Sequence, residues 1–529
     1  MEYFLLEIKP SFIKSGNITR VAISFILYNV GMIRKPKWWK AQKRAYKRAI
    51  SLSDEGVPLL MEMGTGKTRI IVEWLEYLFR ERDVKLVYIA APLAVLHVWI
   101  ENWHEWATAP VAFIDLHDTG SAGIREAVRL SRQGWPVICL VNYEAAWFMG
   151  KKREKIVIDG QEHTRTKSVD TTLADIKWDV GILDESTAIK TPGSKVTKFF
   201  CRMMKPRTKF RAILTGSAYI KRPIDVYAQI KFCCKRTVFE GDFATFKQEY
   251  TVPHPTIPQA ILGYKNLDSL VEKLASCAIL LKKEDVIDIP PFVHETRKLP
   301  LSPKSRKVYD DITEENYAYL EQLEEEGVEI TASHVFAVQR KQLQITSGFV
   351  YPDLVQVGEG DDAKMVKPAP IRIGTEKLGM LTDVMDIRDY PTIIVVQMDE
   401  EERILAENIY KRYGFEPKIL NGSVKKSADR HQMIYKARND LAFIVKESVG
   451  AKGVDMRAFD MTIFYSHSHN TENYDQMMSR NHRGGQTKSI TYMHLLCTNT
   501  VDMKMMRSLQ TDMSRARQIE VDWRKLIRC

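Results

Sequence analysis

One pattern occurs twice along the chain and constrains the fold more than any other feature. In the first half, the runs KLVYIAAP (85–92), VICLVNY (137–143), VGILDE (180–185) and FRAILTGS (210–217) alternate with helical stretches. In the second half, TIIVVQ (392–397), LAFIVKE (441–447), MTIFYSH (461–467) and SITYMHLL (489–496) do the same. A strand that is apolar on both faces has no side to give to water. It predicts a parallel sheet covered by helices above and below. Two such sets predict two tandem α/β domains, and 529 residues suit two or three domains better than one core.

Between the two sets the texture changes. SPKSRKVYDDITEENYAYLEQLEEEG (302–327) is charged and helical, with proline in its first turn and glycine at its end. GEGDDAKMVKPAP (358–370) reads as a polar loop, and KKREKIVIDGQEHTRTKS (151–168) as a polar surface excursion. The 13-residue apolar stretch VAISFILYNVGMI (21–33) is too short to span a bilayer and lacks a small-residue cleavage site. It predicts a buried strand or helix and no membrane association. The expected organisation is an N-terminal extension at 1–33, a first lobe at 34–297, a helical bridge and linker at 298–374, and a second lobe at 375–529.

Chemistry enters at LLMEMGTGKTRIIVEWLEYLF (59–79), where Gly64-Thr65-Gly66-Lys67-Thr68 sits between an apolar strand and an amphipathic helix. Glycines let backbone N–H groups wrap an oxyanion, and the helix N-terminus adds partial positive charge. Lys67 has the reach for β- and γ-phosphates, and the Thr68 hydroxyl suits Mg²⁺. The first glycine of the standard loop would fall at position 61, which is Met. The plainer alternative is a glycine-containing helix start with an incidental lysine.

A second feature matches the first. In VGILDESTAIK (180–190) a buried strand runs straight into Asp184 and Glu185. Acids are costly there unless a cation or a reacting water needs them. Asp184 is placed to complete a Mg²⁺ site through bound water, and Glu185 to orient the attacking water. Taken alone, the pair also reads as an acidic cap after a strand. Arg480 and Arg483 are three apart, so on a helix they would share a face and present planar charge to phosphate, the plainer alternative being a solvated basic face. Lys and Arg total 78 against 67 Asp and Glu, a net charge of +11 that favours a polyanionic partner. Seven cysteines with no C-x-x-C pair predict a reduced, intracellular protein without a zinc module.

The segments EMGTGKT (62–68), APLAVLHVWIENW (91–103), DEST (184–187), LTGSA (214–218), PIDVYAQI (223–230), LLKKEDVIDIPP (280–291), LSPKSRKVY (301–309), LNGSVKKSADR (420–430), SVGAKGVDM (448–456) and YDQMMSRNHRGGQT (474–487) stand in a fixed order. Together they resemble the superfamily 2 helicases, specifically the Swi/Snf-like branch, over roughly positions 36 to 510. The short form most resembles helicase-like proteins of bacteriophages and prophages. The departures are Thr187 where DEAH has His, Gly450-Ala451-Lys452-Gly453 where three glycines are commoner, and Ser468-His469 in place of a Trp pair. No chromatin-reading or zinc module is expected.

The resemblance implies two tandem RecA-like domains with a helical bridge, ATP and Mg²⁺ at the first lobe, and arginines of the second lobe closing on the nucleotide. Its catalytic residues are Lys67, Asp184, Glu185, Arg480 and Arg483. Its nucleotide ligands are Gln42, Gly64, Thr65, Gly66, Lys67, Thr68, Gly453 and Asp455, with Thr68 and Asp184 at the metal. Thr215, Gly216, Ser217, Gln476 and Gln486 are implied to couple that site to nucleic acid. The function implied is an ATP-dependent DNA translocase or helicase, acting as a monomer on double-stranded or branched DNA in the cytoplasm of a bacterial or phage-infected cell. Two rivals remain: an RNA-dependent ATPase, and a non-motor clamp switched by ATP. In RKPKWWKAQKRAYKR (34–48), the basic residues with Trp38 and Trp39 either lie on nucleic acid or form a solvated helix with its tryptophans turned inward.

Overall fold

The apolar runs form two parallel sheets. A computed structural model describes residues 23–25, 38–158, 161–168, 170–216, 222–253, 261–281, 290–326, 332–352, 355–357, 364–366, 368–388, 390–424, 427–451, 454–468, 470–482, 486–507 and 509. It divides into two compact units, residues up to Asp288 and residues Ile289 to Ser514.

The sheet of the first unit contains β1 (Ile23–Phe25), β2 (Val57–Met61), β3 (Leu86–Ala91), β4 (Ala112–Asp115), β5 (Val137–Asn142), β6 (Trp178–Asp184), β7 (Thr208–Thr215) and β8 (Ile279–Leu281). The spatial order is β1-β4-β5-β3-β6-β7-β2-β8. All neighbours are parallel except β1, which runs antiparallel to β4 at the edge. The apolar stretch at 21–33 therefore supplies an edge strand of this sheet. Side chains alternate between two cores: Leu60 and Tyr88 point to one face, Leu59 and Val87 to the other, and all four are fully buried. This two-sided burial is why the runs carry no polar alternation. The helices α1 (Lys40–Ser51), α2 (Lys67–Glu81) and α3 (Leu96–Trp106) supply apolar residues to the Leu59 core. The helices α4 (Val226–Cys233) and α5 (Leu267–Cys277) supply them to the Leu60 core.

The insert at 151–168 is a two-stranded antiparallel hairpin, Lys151–Ile158 paired with Gln161–Ser168. Its signal was present in the sequence as Asp159-Gly160, the dipeptide that favours a tight hairpin turn.

The second unit holds β9 (Phe292–Leu299), β10 (Thr392–Val396), β11 (Lys418–Leu420), β12 (Ala442–Lys446), β13 (Met461–Phe464) and β14 (Ile490–Cys497), all parallel, in the order β9-β14-β13-β10-β12-β11. β9 pairs with β14 along its whole length, from Phe292 with Ile490 to Leu299 with Cys497. Residues 292–297, assigned from sequence to the first lobe, thus belong to the second. The charged segment forms α6 (Pro303–Glu325), and α7 (Ala332–Thr346) succeeds it. Both lie in the second unit, where Tyr309 and Ile345 share a small core with Cys497 of β14. The segment 358–370, expected to be a loop throughout, contains a short strand, Lys364–Val366, paired antiparallel with Val355–Val357, because the alternating Lys364-Met365-Val366 can hydrogen-bond back onto the preceding strand. The helix α8 (Thr471–Asn481) carries the arginine motif. Among the described residues, no helix is long and apolar enough to cross a membrane.

Candidate nucleotide-binding site

Because β2, β7 and β6 are parallel neighbours, their C-terminal ends share one edge of the first sheet. Leu60 pairs with Thr215, and Asp184 pairs with Leu214. The loop after β2, the Thr215-Gly216 turn and the Asp184-Glu185 pair therefore emerge side by side, where open α/β sheets bind ligands.

Met61 stands where the standard loop has its first glycine, and it is the last residue of β2, paired with Leu281. An extended strand position makes no demand for glycine, so the departure is harmless. Gly64 and Gly66 do the bending, with φ of 82° and 88°. Gly66 caps α2 in the left-handed region, and a Cβ there would come within 2.2 Å of Gln42 Nε2. Thr65 is fully buried and its hydroxyl donates to Glu62 O at 2.7 Å. Lys67 turns its ammonium back onto the loop, donating to Met61 O at 3.0 Å and Glu62 O at 3.3 Å. Thr68 comes next, half-buried, in the first turn of α2.

Gln42 reaches this loop from α1. It is 3% exposed; its Nε2 donates to Thr65 O at 3.0 Å and its Oε1 accepts from Trp39 N at 3.3 Å. One side chain thus caps α1 and braces the phosphate loop. Trp38, just before the same helix, is half-buried. Its ring packs 4.3 Å from the Arg69 guanidinium and 5.4 Å from Tyr46, and Arg69 is held on its other side by Trp106 at 4.4 Å. Trp38 thus packs against side chains of its own unit.

The Asp184 carboxylate is buried and oriented at both oxygens. Oδ2 accepts from the Trp99 indole N–H at 3.0 Å, and Oδ1 from Glu185 N at 3.0 Å. Tyr143 donates to Asp184 O at 2.8 Å. Burial, reinforced by the charges of Asp184 and Glu185, pushes the Tyr143 phenol well above its ordinary range, so it stays a neutral donor. Glu185 adopts φ 50° and ψ 55°, left-handed for a residue with a Cβ, which turns its side chain off the strand direction. Ser186 donates to Gln229 Oε1 on α4, and Gln229 donates to Asp225 O at 2.9 Å. The tie between DEST and PIDVYAQI therefore runs through Ser186, although Thr187 replaces the family histidine. Gly216 lies against the phosphate loop: a Cβ on it would sit 3.4 Å from Met63 Cγ. Thr215 is fully buried, and its hydroxyl has no hydrogen-bond partner among the described residues. A buried orphan hydroxyl between a glycine-bent loop with its lysine and an oriented carboxylate fits a site made for a triphosphate and a hard cation.

In the second unit, Arg480 donates through Nε and its terminal nitrogen to Ala451 O, at 3.0 Å for Nε. Met456 N returns a bond to Arg480 O at 3.2 Å, so motifs V and VI are stitched together. The helix α8 carries Arg480 in its last turn and ends at Asn481 with His482 as its cap. Arg483, Gly453 and Ser217 lie outside the described residues. Asp455 forms an ion pair with Arg457 at 2.6 Å. Gln476 is buried and donates to Glu472 at 3.5 Å. The Gln486 amide donates to Arg457 O at 3.0 Å and to Asn481 O at 3.3 Å, and its carbonyl accepts from Thr487 N at 2.9 Å and Lys488 N at 3.1 Å. It clips the end of α8 in place.

Residues 41–347 match the SNF2-related domain family, and residues 376–485 match the Helicase conserved C-terminal domain family. The first match alone covers more than half of the chain. The chain belongs to the SNF2-related family. Its curated relatives include DNA excision repair protein ERCC-6 of Mus musculus, 24% identical over 487 residues, with 84% of this chain and 30% of the relative covered. Another is SWI/SNF chromatin-remodeling complex subunit snf22 of Schizosaccharomyces pombe, 21% identical over 469 residues, covering 85% and 26%. A solved structure titled "Sulfolobus solfataricus SWI2/SNF2 ATPase core in complex with dsDNA" is 17% identical with a TM-score of 0.40, covering 92% of this chain and 95% of that one. The chain spans about a third of the length of the curated relatives it matches.

Membership in the SNF2-related family implies ATP use. Three residues of the site escaped the sequence reading. Trp99 lies inside the segment APLAVLHVWIENW, and a buried tryptophan needs a partner for its N–H. Gln229 is a polar residue in an otherwise apolar helix segment, and Tyr143 closes the run VICLVNY. Neither showed its partner in the sequence.

Proposed function

We propose that this chain is an ATP-dependent translocase on double-stranded DNA, hydrolysing ATP to drive movement in remodelling, replication, recombination or repair. The observation that carries the reading is the convergence of the Lys67 loop, the buried Thr215 hydroxyl and the doubly oriented Asp184 on one sheet edge. SNF2 membership, relatives named for DNA excision repair and chromatin remodelling, and the net charge of +11 support the DNA track.

In this reading the backbone around Gly64 and Gly66 and the Lys67 ammonium hold the β- and γ-phosphates. Lys67 exchanges its two carbonyl partners for phosphate oxygens. Thr68 and Asp184 would hold Mg²⁺, which when bound would supply charge neutralisation on the phosphates. Glu185 orients the attacking water and accepts its proton. Arg483 and Arg480 stabilise charge on the transferring phosphoryl group. Gln42, whose amide now braces Thr65, is proposed to report adenine to the loop. The chain is proposed to act as a monomer in the cytoplasm; the free thiols at Cys139, Cys201, Cys233, Cys234, Cys277 and Cys497 accord with a reducing compartment.

The test is ATPase rate with no nucleic acid, duplex DNA, single-stranded DNA or RNA, then triplex displacement and plain-duplex unwinding on the same preparation. Stimulation by duplex DNA with triplex displacement is expected. RNA-selective stimulation, or turnover indifferent to every nucleic acid, overturns the proposal. Robust unwinding of a long plain duplex without triplex displacement replaces the translocase with a processive helicase.

A further inference from the structure

The translocase mechanism leaves the most basic segment of the sequence unused. In α1 the inner face is buried through Ala41, Gln42, Ala45 and Ala49. Lys40, Lys43, Arg44, Lys47 and Arg48 are all exposed. At 3.6 residues per turn, Lys40, Lys43, Arg44 and Lys47 share one side of the helix. None of these five forms an ion pair with a described residue. Near its C-terminal end a second observation points to an anion. Arg48 donates to Ser276 O at 3.1 Å, and Arg236 donates to the same oxygen at 3.0 Å and to Ser276 Oγ at 3.0 Å. Two guanidinium groups converge on one carbonyl with no ion-pair partner among the described residues, and each keeps donors to spare. Bringing like charges together costs folding energy that an anion seated there would return. Of the acids that act on Tyr46 of the same helix, Glu73 and Glu76, Glu76 accepts from the Thr108 hydroxyl at 2.8 Å and from Ala109 N at 2.9 Å.

The chemistry of the occupant is set by what faces it. Trp38 packs on Arg69, and the exposed side chains along this side of α1 are the cations Lys40, Lys43, Arg44 and Lys47. This side matches phosphates rather than bases. From Lys40 to Lys47 the helix rises about 10 Å, comparable with three nucleotide steps of roughly 3.4 Å along one strand. We propose that the outer face of α1, continued by Arg48 and Arg236, is a sequence-independent contact for the phosphate backbone of duplex DNA. On its inner face the same helix carries Gln42, whose amide holds Thr65 O of the phosphate loop. DNA on this face therefore stiffens the loop that binds the nucleotide. The inference rests on the translocase reading.

The test is the triple variant Lys43→Gln, Arg44→Gln, Lys47→Gln in the full chain, binding a labelled 30-base-pair duplex across a NaCl series. Losing three phosphate contacts is expected to flatten the slope of log K against log salt by about 2.7 and to weaken binding roughly tenfold at the lower salts. Turnover without DNA should not change. The DNA concentration giving half-maximal ATPase should rise about as much as the dissociation constant, with the maximal rate kept. A wild-type ATPase stimulated by duplex DNA, with a variant of unchanged slope and affinity, overturns this inference and leaves the translocase standing. A wild-type ATPase indifferent to every nucleic acid sinks both. Unchanged DNA binding with lost binding to phosphatidylserine vesicles makes the face a membrane contact and also overturns it.

Discussion

The Trp99 indole donates its hydrogen bond to Asp184 Oδ2 over 3.0 Å. A residue of the motif Ia helix thereby sets the direction of the carboxylate assigned to Mg²⁺. Groups that orient a metal-binding carboxylate typically govern affinity by tenfold or more. Trp99→Phe keeps an aromatic ring in the buried site and removes the donor. The Mg²⁺ concentration for half-maximal ATPase should rise about 10-fold. An unchanged Mg²⁺ titration would show that Asp184 does not need this bond.

Lys67 now spans Met61 O and Glu62 O, so its removal deletes no core contact. Lys67→Ala should leave the thermal midpoint nearly unchanged and lower turnover by about 100-fold or more. Steady-state ATPase beside a melting curve checks both halves. Turnover near the wild-type rate would remove the loop from the mechanism.

Glu185→Gln keeps size and hydrogen-bonding capacity while removing the base. Nucleotide affinity should hold, and turnover should fall by roughly 100-fold or more. Single-turnover hydrolysis with a binding titration separates the two. Normal hydrolysis would place the base elsewhere.

The two arginines should part company. Arg480 binds Ala451 O, so Arg480→Ala should lower both turnover and the stability of the second unit, the latter by about 1–3 kcal/mol. Arg483→Ala should lower turnover with little change in nucleotide affinity or stability. A loss confined to nucleotide affinity in Arg483→Ala would count against its action on the transferring phosphoryl group.

The second unit carries a line of three histidines in contact. His467 Nε2 lies 2.9 Å from His494 Nδ1, and His494 Nε2 lies 3.2 Å from His294 Nδ1. Burial lowers His467 to about 3 and lowers His494 well below its ordinary value. Both stay neutral in the fold, while the unfolded chain takes up protons below about pH 6.5. Stability is therefore present above pH 6.5 and lost as pH falls, by about 2 kcal/mol for His467 at pH 5, with His494 acting in the same direction. His467→Phe should fall less steeply between pH 7 and 5 in denaturant titrations. An identical slope would mean that His467 is protonated in the fold.

The sequence by itself determined the parts that depend on neighbours along the chain. Continuous apolar runs such as LVYIAA required two-sided burial and hence parallel sheets, because no face was left for water. The Gly64 to Thr68 loop was legible because its chemistry is backbone N–H groups, an adjoining helix start and two adjacent side chains. Tertiary structure decided whatever joins distant residues. Nothing in 34–48 says that Trp38 stacks on Arg69 or that Gln42 reaches Thr65, since both depend on how α1 packs on α2. Trp99 meets Asp184 across 85 positions, and Ser186 meets Gln229 across 43. β9 joined the second unit because its whole length pairs with β14, some 200 residues on, a register that local pattern does not encode. Periodicity and turn chemistry are written locally, whereas a hydrogen bond between elements exists only once the sheet has fixed which strand ends share an edge.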